Sequence, residues 1–482
     1  MSRSGFVPPY LLQRVAEAAS SGLLADADVG DTCRRTLDLD AGFREGRSAR
    51  GTRPQAAEPE PAPGPPEEAR LTWTVHSAAN TRTLPGTPVR DEDDAAPSGD
   101  ITVDEAWEGV RATLVMLSEV FGRTSYDDAG ARVSATVHFG QDYQNAFWDG
   151  TQLVFGDGDG RIFNRFTIAV DILAHELGHA VTERTAGLVY QGQSGALNES
   201  MSDVFGSCLK QRVLGQDAME ADWLIGEGLF TDAVRGAALR SMSQPGTAYD
   251  DPVLGRDPQP AHLDDYIDTT DDNGGVHLNS GIPNRAFYLA ATGIGGSSAE
   301  GAGRIWYEAL LTAGPATDFA GFAAATLAVA GAHAEVVRGA WRSVGVPVGE
   351  DAGRREDTRR DRPSTGPGTD QESGGPGEPS GTGQPAGVVR VRRSGGLAGM
   401  TATSSLDLDR DDPRAREALA LVRRVDIALL ARQADAGTGQ PGRPDAFTYQ
   451  VACGGHEATV PEDRATPDLV RLVELVLAVR DR

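Results

Sequence analysis

The chain has 482 residues, enough for several domains, and its 39% hydrophobic content supports a sizeable core. A formal net charge of −25 argues against nucleic acid and against an anionic membrane surface as partners. Three widely spaced cysteines, Cys33, Cys208 and Cys453, imply no disulfide framework, which fits a reducing compartment.

The N-terminal stretch MSRSGFVPPYLLQRVAEAASSG lacks a charged start, a long apolar run and a cleavage box, and no segment approaches the roughly 18 apolar residues of a membrane span. The expectation is a monomeric protein made in the cytoplasm, with secretion by a route that needs no signal peptide left open. Residues 1–50 predict one helix starting near Pro8-Pro9, with Leu11, Leu12 and Val15 on one side, followed by the charged tract TCRRTLDLDAGFREGR. That segment is too small to bury a core alone. Cys33 reads as an ordinary tail cysteine; the alternative is a thiolate that caps a metal.

Residues 51–70, rich in proline, alanine and glutamate, have the composition of an extended, protease-accessible linker. Ordered chain resumes near Leu71. Alternation in WTVHSA (Trp73 to Ala78) and VSATVHF (Val133 to Phe139) predicts strands, with a helix over Val103 to Phe121 between them.

The stretch DILAHELGHAVTERTAGLVYQGQSGALNESMSD, Asp171 to Asp203, carries the chemistry. His175 and His179 stand four residues apart, which on a helix puts both imidazoles on one face, one turn apart. The apolar residues around them, Ile168 to Val170, Ile172 to Ala174, Ala180 and Val181, predict a buried helix in which unpaired histidines are costly. Metal binding satisfies them. Glu199, twenty residues after His179, is the candidate third ligand, and a His/His/Glu set leaves the fourth position of a zinc ion for water.

Around this motif the sequence resembles the thermolysin-like metallopeptidases over roughly residues 100 to 347. The patterns HExxHxVT and GLxYxxxSGAxNExxSD are matched by His175, Glu176, His179, Val181, Thr182, Gly187, Leu188, Tyr190, Ser194, Gly195, Ala196, Asn198, Glu199, Ser202 and Asp203. The resemblance implies an α+β fold with a two-lobed catalytic domain over 71–347, β-rich in its N-terminal lobe and helical in its C-terminal lobe. It assigns zinc to His175, His179 and Glu199, the general base to Glu176, and oxyanion donors to Tyr190 and His277, with Asp272 orienting His277. Asp203 and Asn198 support the zinc-binding imidazoles. Asn145 and Ala146, in NAFWDG, hold the substrate backbone by β-strand addition, and Arg240 takes a substrate carbonyl. Phe163, Phe166, Ile172 and Leu239 match the pocket for the side chain just after the scissile bond, so a large hydrophobic residue is expected there.

Asp171 and WLIGE (Trp223 to Glu227) match parts of the family's calcium cluster, but Lys210, the only lysine in the chain, stands where a bridging glutamate is expected, and Leu224 replaces another acid. A lysine ammonium beside Asp171, Asp222 and Glu227 would supply positive charge in place of the ion, so calcium is expected to be weak or absent. PPYLL resembles the short propeptide of the protealysin-like branch, so residues 1–50 are expected to be a propeptide that covers the catalytic domain and is cut away.

Residues 348–387 form a second linker, Arg/Asp-rich and then Gly/Pro/Ser/Thr-rich, too poor in apolar residues to fold. Residues 388–482 predict a small α+β module: strands at VVRVRR and TATSSLDL, an amphipathic helix carrying Leu419, Val422, Ile427 and Leu430, a hairpin around Gly454-Gly455 and a final helix. SGGLAGM and FTYQVACGGHEATVPED resemble emfourin, the inhibitor paired with protealysin-like peptidases. The expected partners are peptide or protein substrates and, in cis, the propeptide and this inhibitor-like domain. A second reading, a peptide-binding or scaffold protein on the same shell with the tail as an accessory domain, is weighed down by the complete set of catalytic positions.

Overall fold

Alternating apolar positions in WTVHS and VSATV build strands β1 (Trp73–Ser77) and β3 (Val133–Val137), which pair in parallel with Trp73 opposite Val133. A computed structural model describes residues 5–24, 26–48, 70–348, 388–395, 400–408, 413–425, 447–453, 456–461, 465 and 467–477. Between these strands lie β2 (Thr87–Asp91) and α3 (Ile101–Phe121), and after them come β4 (Ala146–Trp148) and β5 (Leu153–Phe155). The sheet order is β2-β1-β3-β5-β4, with β2 and β4 antiparallel to their neighbours, so β4 forms one edge. Asp100 caps α3 by accepting from the Thr102 and Val103 amides at 3.0 and 3.4 Å. Val103, Ala106, Val110, Leu114 and Leu117, at helical spacing, form its buried face.

The helical lobe begins with α4 (Val170–Arg184) and α5 (Gly192–Leu214) and continues through α6 (Asp272–Asn279), α7 (Gly281–Ile294), α8 (Arg304–Thr312), α9 (Phe319–Val329) and α10 (Ala334–Ser343). Two glycines let α4 and α5 meet closely. A Cβ at Gly178 would stand 3.0 Å from the Ser202 Cα, and one at Gly206 would stand 2.8 Å from the Asp171 carbonyl. Between α5 and α6, two short antiparallel pairs, β6 (Leu224–Ile225) with β7 (Arg240–Ser241) and β8 (Asp250–Asp251) with β9 (Gly255–Arg256), shape the connecting loops.

The first 48 residues hold two helices, α1 (Pro9–Ser20) and α2 (Ala27–Ser48), where the sequence predicted one. Pro9 sits in the first turn of α1, where its missing amide costs nothing. Charge obscures α2, whose buried stripe among the described side chains is short: Val29, Cys33 and Thr36 are buried, with Leu37 half-buried. The β-rich lobe supplies what this stripe lacks. Thr36 Oγ1 accepts from the Gln144 amide at 3.2 Å, Tyr143 donates to Asp40 at 2.5 Å, and Leu39 packs on Phe139, Tyr143, Phe147 and Val154. The Cys33 thiol faces Gln144 Oε1 at 3.3 Å, and burial pushes its pKa up to about 12. It is a thiol with a protein partner, so the metal-capping alternative falls.

The chain divides into Met1–Ser364 and Thr365–Arg482. In the second unit, β10 (Val388–Gly395), β11 (Met400–Asp407), β12 (Phe447–Cys453) and β13 (His456–Pro461) form an antiparallel sheet of order β11-β10-β12-β13. Helices α11 (Pro413–Val425) and α12 (Pro467–Leu477) cover it through Leu421, Val422, Leu472 and Val476. The strands fall where alternation placed them. Ile427 and Leu430, the turn at Gly454-Gly455, and residues 51–69 and 349–387 of the two linkers lie outside the described residues.

His138, directly after β3, clamps three parts of the β-rich lobe. Its Nδ1 meets Asp157 Oδ2 and its Nε2 meets Asp100 Oδ2, both at 2.9 Å, and a ring flanked by two carboxylates carries both protons. Asp157 foremost, and Asp100 with it, outweigh partial burial and raise His138 from 6.5 to about 9. A raised folded value gives stabilisation that is complete below pH 6.5 and lost as pH rises through about 9. His138→Gln is expected to cost about 1–2 kcal/mol at pH 6. The gap in melting temperature from the parent should close above pH 9, and a gap constant from pH 6 to 10 would refute the charged clamp.

Candidate metal centre

The close approach of α4 and α5 brings three buried donors to one point. His175 Nε2 and His179 Nε2 are 3.1 Å apart. Glu199 Oε2 lies 3.5 Å from His175 Nε2, and Glu199 Oε1 lies 3.5 Å from His179 Nε2. Tetrahedral zinc with bonds of about 2.0–2.1 Å needs its ligands roughly 3.3–3.4 Å apart, which is this spacing. Among the described residues Glu199 Oε2 has no hydrogen-bond partner although it is buried, and the two Nε2 atoms face each other rather than a donor. A cation resolves both defects, and the residues fit zinc.

The outer faces of the imidazoles are anchored. His175 Nδ1 meets Asp203 Oδ1 at 2.8 Å, and His179 Nδ1 meets Asn198 Oδ1 at 2.8 Å. With protons on Nδ1, the Nε2 lone pairs turn inward. Asp203 also takes both nitrogens of the Arg240 fork, Nε at 2.9 Å and NH2 at 2.8 Å, and the Asn284 amide at 2.8 Å. Burial would raise its pKa, but Arg240 and then His175 hold it at about 2. Glu176 belongs to the same cluster, and its ligand atom, with those of His175 and His179, lies within a 4.8 Å group. Both Glu176 oxygens are buried without a hydrogen-bond partner among the described residues, and burial pushes its carboxyl up to about 8.

On the far side of Glu199 stand Tyr190 and His277. The Tyr190 hydroxyl donates to Glu199 Oε1 and lies 3.4 Å from His277 Nε2. Asp272 grips His277 twice, by ring Nδ1 at 2.6 Å and by backbone amide at 2.9 Å. This grip needs a left-handed run at Asp272, Asn273, Gly274 and Gly275, with φ of 50°, 52°, 82° and 71°. Burial works against a charge on His277, yet the Asp272 and Glu199 carboxylates raise its pKa above the ordinary value.

Asn145 and Ala146, at the β4 edge, hold the chain's own N-terminal segment. The Phe6 amide donates to Ala146 O at 2.9 Å, the Val7 amide donates to Asn145 Oδ1 at 2.8 Å, and Asn145 Nδ2 donates to Val7 O at 3.2 Å. Arg240 NH1 donates to Phe6 O at 3.2 Å, and His277 Nε2 is 3.1 Å from Gly5 O. The Phe6 ring is fully buried, edge-on to His175 at 5.0 Å and under the Arg240 guanidinium at 4.6 Å. It lies against Gly226, where a Cβ would stand 3.1 Å from the ring and 3.4 Å from Leu239 Cβ. Phe163, Phe166, Ile172 and Leu239 are buried in the same apolar cluster.

Gly5, Phe6, Val7 and Asp40 went unassigned in the sequence. The signal that could have found Phe6 is a large apolar residue just ahead of PPYLL, matching the residue type expected in the enzyme's own pocket. At the calcium-like cluster, Lys210 Nζ binds Asp222 at 2.9 Å and Glu227 at 2.8 Å, and it lies 3.4 Å from Leu224 O. Asp171 Oδ2 accepts from the Gly226 amide at 3.0 Å.

Two helices that bring His175, His179 and Glu199 together beside a sheet edge fit the site of a metallopeptidase. Residues 67–183 match the family described as thermolysin metallopeptidase, catalytic domain, and residues 186–346 match its alpha-helical domain. The chain belongs to the thermolysin family of zinc metalloendopeptidases. Within that family it is protealysin-like: it superposes on the precursor of protealysin, a metalloproteinase from Serratia proteamaculans, with a TM-score of 0.62 and 47% identity, covering 71% of this chain and 100% of that one. It is 54% identical over 298 residues to an extracellular metalloprotease of Pectobacterium carotovorum, spanning 60% of this chain and 86% of that protein. A thermolysin of Alicyclobacillus acidocaldarius is 40% identical over 245 residues, only 42% of that protein's length. Residues 391–477 match emfourin.

Proposed function

We propose that this peptidase cleaves before large hydrophobic residues, is made as a precursor restrained by its N-terminal segment, and carries in its emfourin region a second restraint. The observation that carries the reading is the clasp on Phe6. Its amide, its carbonyl and the next residue are each held by a group assigned to substrate, and its side chain fills a buried apolar site. A peptide bound in that way presents the bond before its large residue to Glu176, Tyr190 and His277.

Zinc held by His175, His179 and Glu199 supplies Lewis-acid polarisation of the scissile carbonyl and acidifies water. Glu176, whose oxygens have no hydrogen-bond partner among the described residues, takes the proton of the attacking water and passes it to the leaving nitrogen. Tyr190 and His277 donate to the developing oxyanion, and Asp272 keeps the His277 ring aimed. Arg240 and Asn145 keep the backbone in register.

The linker over 348–387 tethers the emfourin region to the enzyme it would inhibit. A tethered inhibitor acts at an effective concentration of order millimolar, so micromolar intrinsic affinity leaves about one molecule in a thousand free. At the calcium-like cluster, an ammonium already pairs with both Asp222 and Glu227, which supports weak or absent calcium binding there.

Glu176→Gln is expected to keep one zinc per chain and to lower kcat/KM by at least about 1,000-fold. It should also stay full length while the parent is cut between roughly residues 50 and 80; undiminished hydrolysis removes Glu176 as the base. For the tail, three proteins freed of their N-terminal segment are compared: full length, a chain ending at Val346, and that chain with residues 388–482 added in trans. The second should be the most active, and equal kcat/KM in all three would make the tail an accessory domain. Millimolar calcium should move the melting temperature of the zinc-loaded protein by less than about 1 °C, while Lys210→Glu creates a shift of several degrees. A large shift in the parent would overturn the lysine substitution for calcium.

A further inference from the structure

The peptide bond between Gly5 and Phe6 lies where the groups of the site converge. On one side, Gly5 O is 3.1 Å from His277 Nε2, which itself stands 3.4 Å from the Tyr190 hydroxyl. On the other side, the Phe6 amide is fixed to Ala146 O at 2.9 Å and the Phe6 carbonyl to Arg240 at 3.2 Å. Both flanks of one bond are thus held by the groups that hold substrate.

Glycine at position 5 is a condition of this pose. A Cβ there would fall 2.1 Å from Asn145 Nδ2 and 2.6 Å from its Oδ1. The Asn145 amide cannot swing aside, because it is bonded to Val7 on both of its polar atoms and to Asp40 Oδ2 at 3.1 Å. Asp40 belongs to α2, so the N-terminal helices themselves set the amide that admits only glycine before the bond.

We infer that the Gly5–Phe6 bond is a substrate of the precursor, cut in cis by the site it occupies, and that the chain from Phe6 onward stays seated as product. The inference rests on the catalytic reading of Glu176, Tyr190 and His277 given above. Water adds its oxygen to the Gly5 carbonyl carbon, the C–N bond breaks, and Glu176 carries the water proton to the Phe6 nitrogen. One product ends in a Gly5 carboxylate, and the other begins with a Phe6 ammonium that still faces Ala146 O. The clasp on Val7, the packing of Leu11, Leu12 and Val15, and the Asp40 bonds are untouched by the cut. Restraint therefore survives the first turnover, and cleavage in the linker is a separate, later event.

The test uses the full-length chain stripped of metal by a chelator and then given zinc, followed by intact mass and N-terminal sequencing at two protein concentrations tenfold apart. The expected result is a new N-terminus at Phe6 that precedes linker cleavage and forms at the same first-order rate at both concentrations. In ¹⁸O water the released peptide carries one label on Gly5. Phe6→Leu should keep the cut, Gly5→Ala should slow it at least about tenfold, and Glu176→Gln should abolish it. In the zinc-loaded Glu176→Gln protein, slow hydrogen exchange at the Phe6 and Val7 amides reports the seated segment independently of activity. The inference is overturned if protein that hydrolyses an added peptide keeps every residue before Phe6 on its uncleaved propeptide, or if the cut accelerates with concentration. If zinc-loaded protein freed of its N-terminal segment hydrolyses no peptide at all, the proposed function fails and this inference falls with it.

Discussion

A buried charge is tolerated only when something compensates it, and this catalytic lobe sinks His175, Glu176, Glu199, Asp203 and Arg240 to nearly zero exposure at one place. The Arg240 fork on Asp203 is the fixed point of that arrangement. Asp203 is thereby held ionised, so it can accept from His175 Nδ1, and the His175 lone pair turns toward His179 and Glu199. The same arginine also reaches the Phe6 carbonyl, so one side chain joins the orientation of His175 to the seating of the N-terminal segment. Gly178 and Gly206 serve this fixed point at the level of the backbone, because only two helices in near contact can place α4 histidines against α5 carboxylates.

The opposite wall of the cleft is built by different means. Here the main chain carries the recognition: Ala146 offers a carbonyl from an edge strand, and Asn145 offers an amide that copies a peptide group. His277 comes from a helix start whose geometry is set by left-handed residues at Asp272 through Gly275, and Tyr190 comes from the connection between α4 and α5. A rigid charged wall and a backbone wall therefore face each other across the bound chain.

Much of this was legible because two periodicities survive in the sequence. The four-residue spacing of His175 and His179, and of Glu199 and Asp203, is helical, and both pairs fall on helices. The alternation in WTVHS, VSATV and the C-terminal strands is that of half-buried sheets, and strands form there. Helix α2 escaped because most of its stabilising partners are far away in sequence: Gln144, Tyr143 and the Phe139 cluster. The clasp on Phe6 escaped for the same reason, since its contacts join residues more than a hundred positions apart. Lys210 was readable only through its mismatch against a family pattern, which put an ammonium beside Asp171, Asp222 and Glu227, and Lys210 binds the last two directly.

Strand β4 is an edge, and an uncovered edge strand is a template on which other chains add strands and aggregate. Its three residues, Ala146, Phe147 and Trp148, are all large or apolar enough to be fully buried, so nothing charged on the strand repels an incoming chain. In this chain the Phe6 amide already occupies the Ala146 carbonyl on that edge. The N-terminal segment thus also acts as a blunting element for the sheet, covering at Ala146 an edge on which another chain could otherwise add a strand.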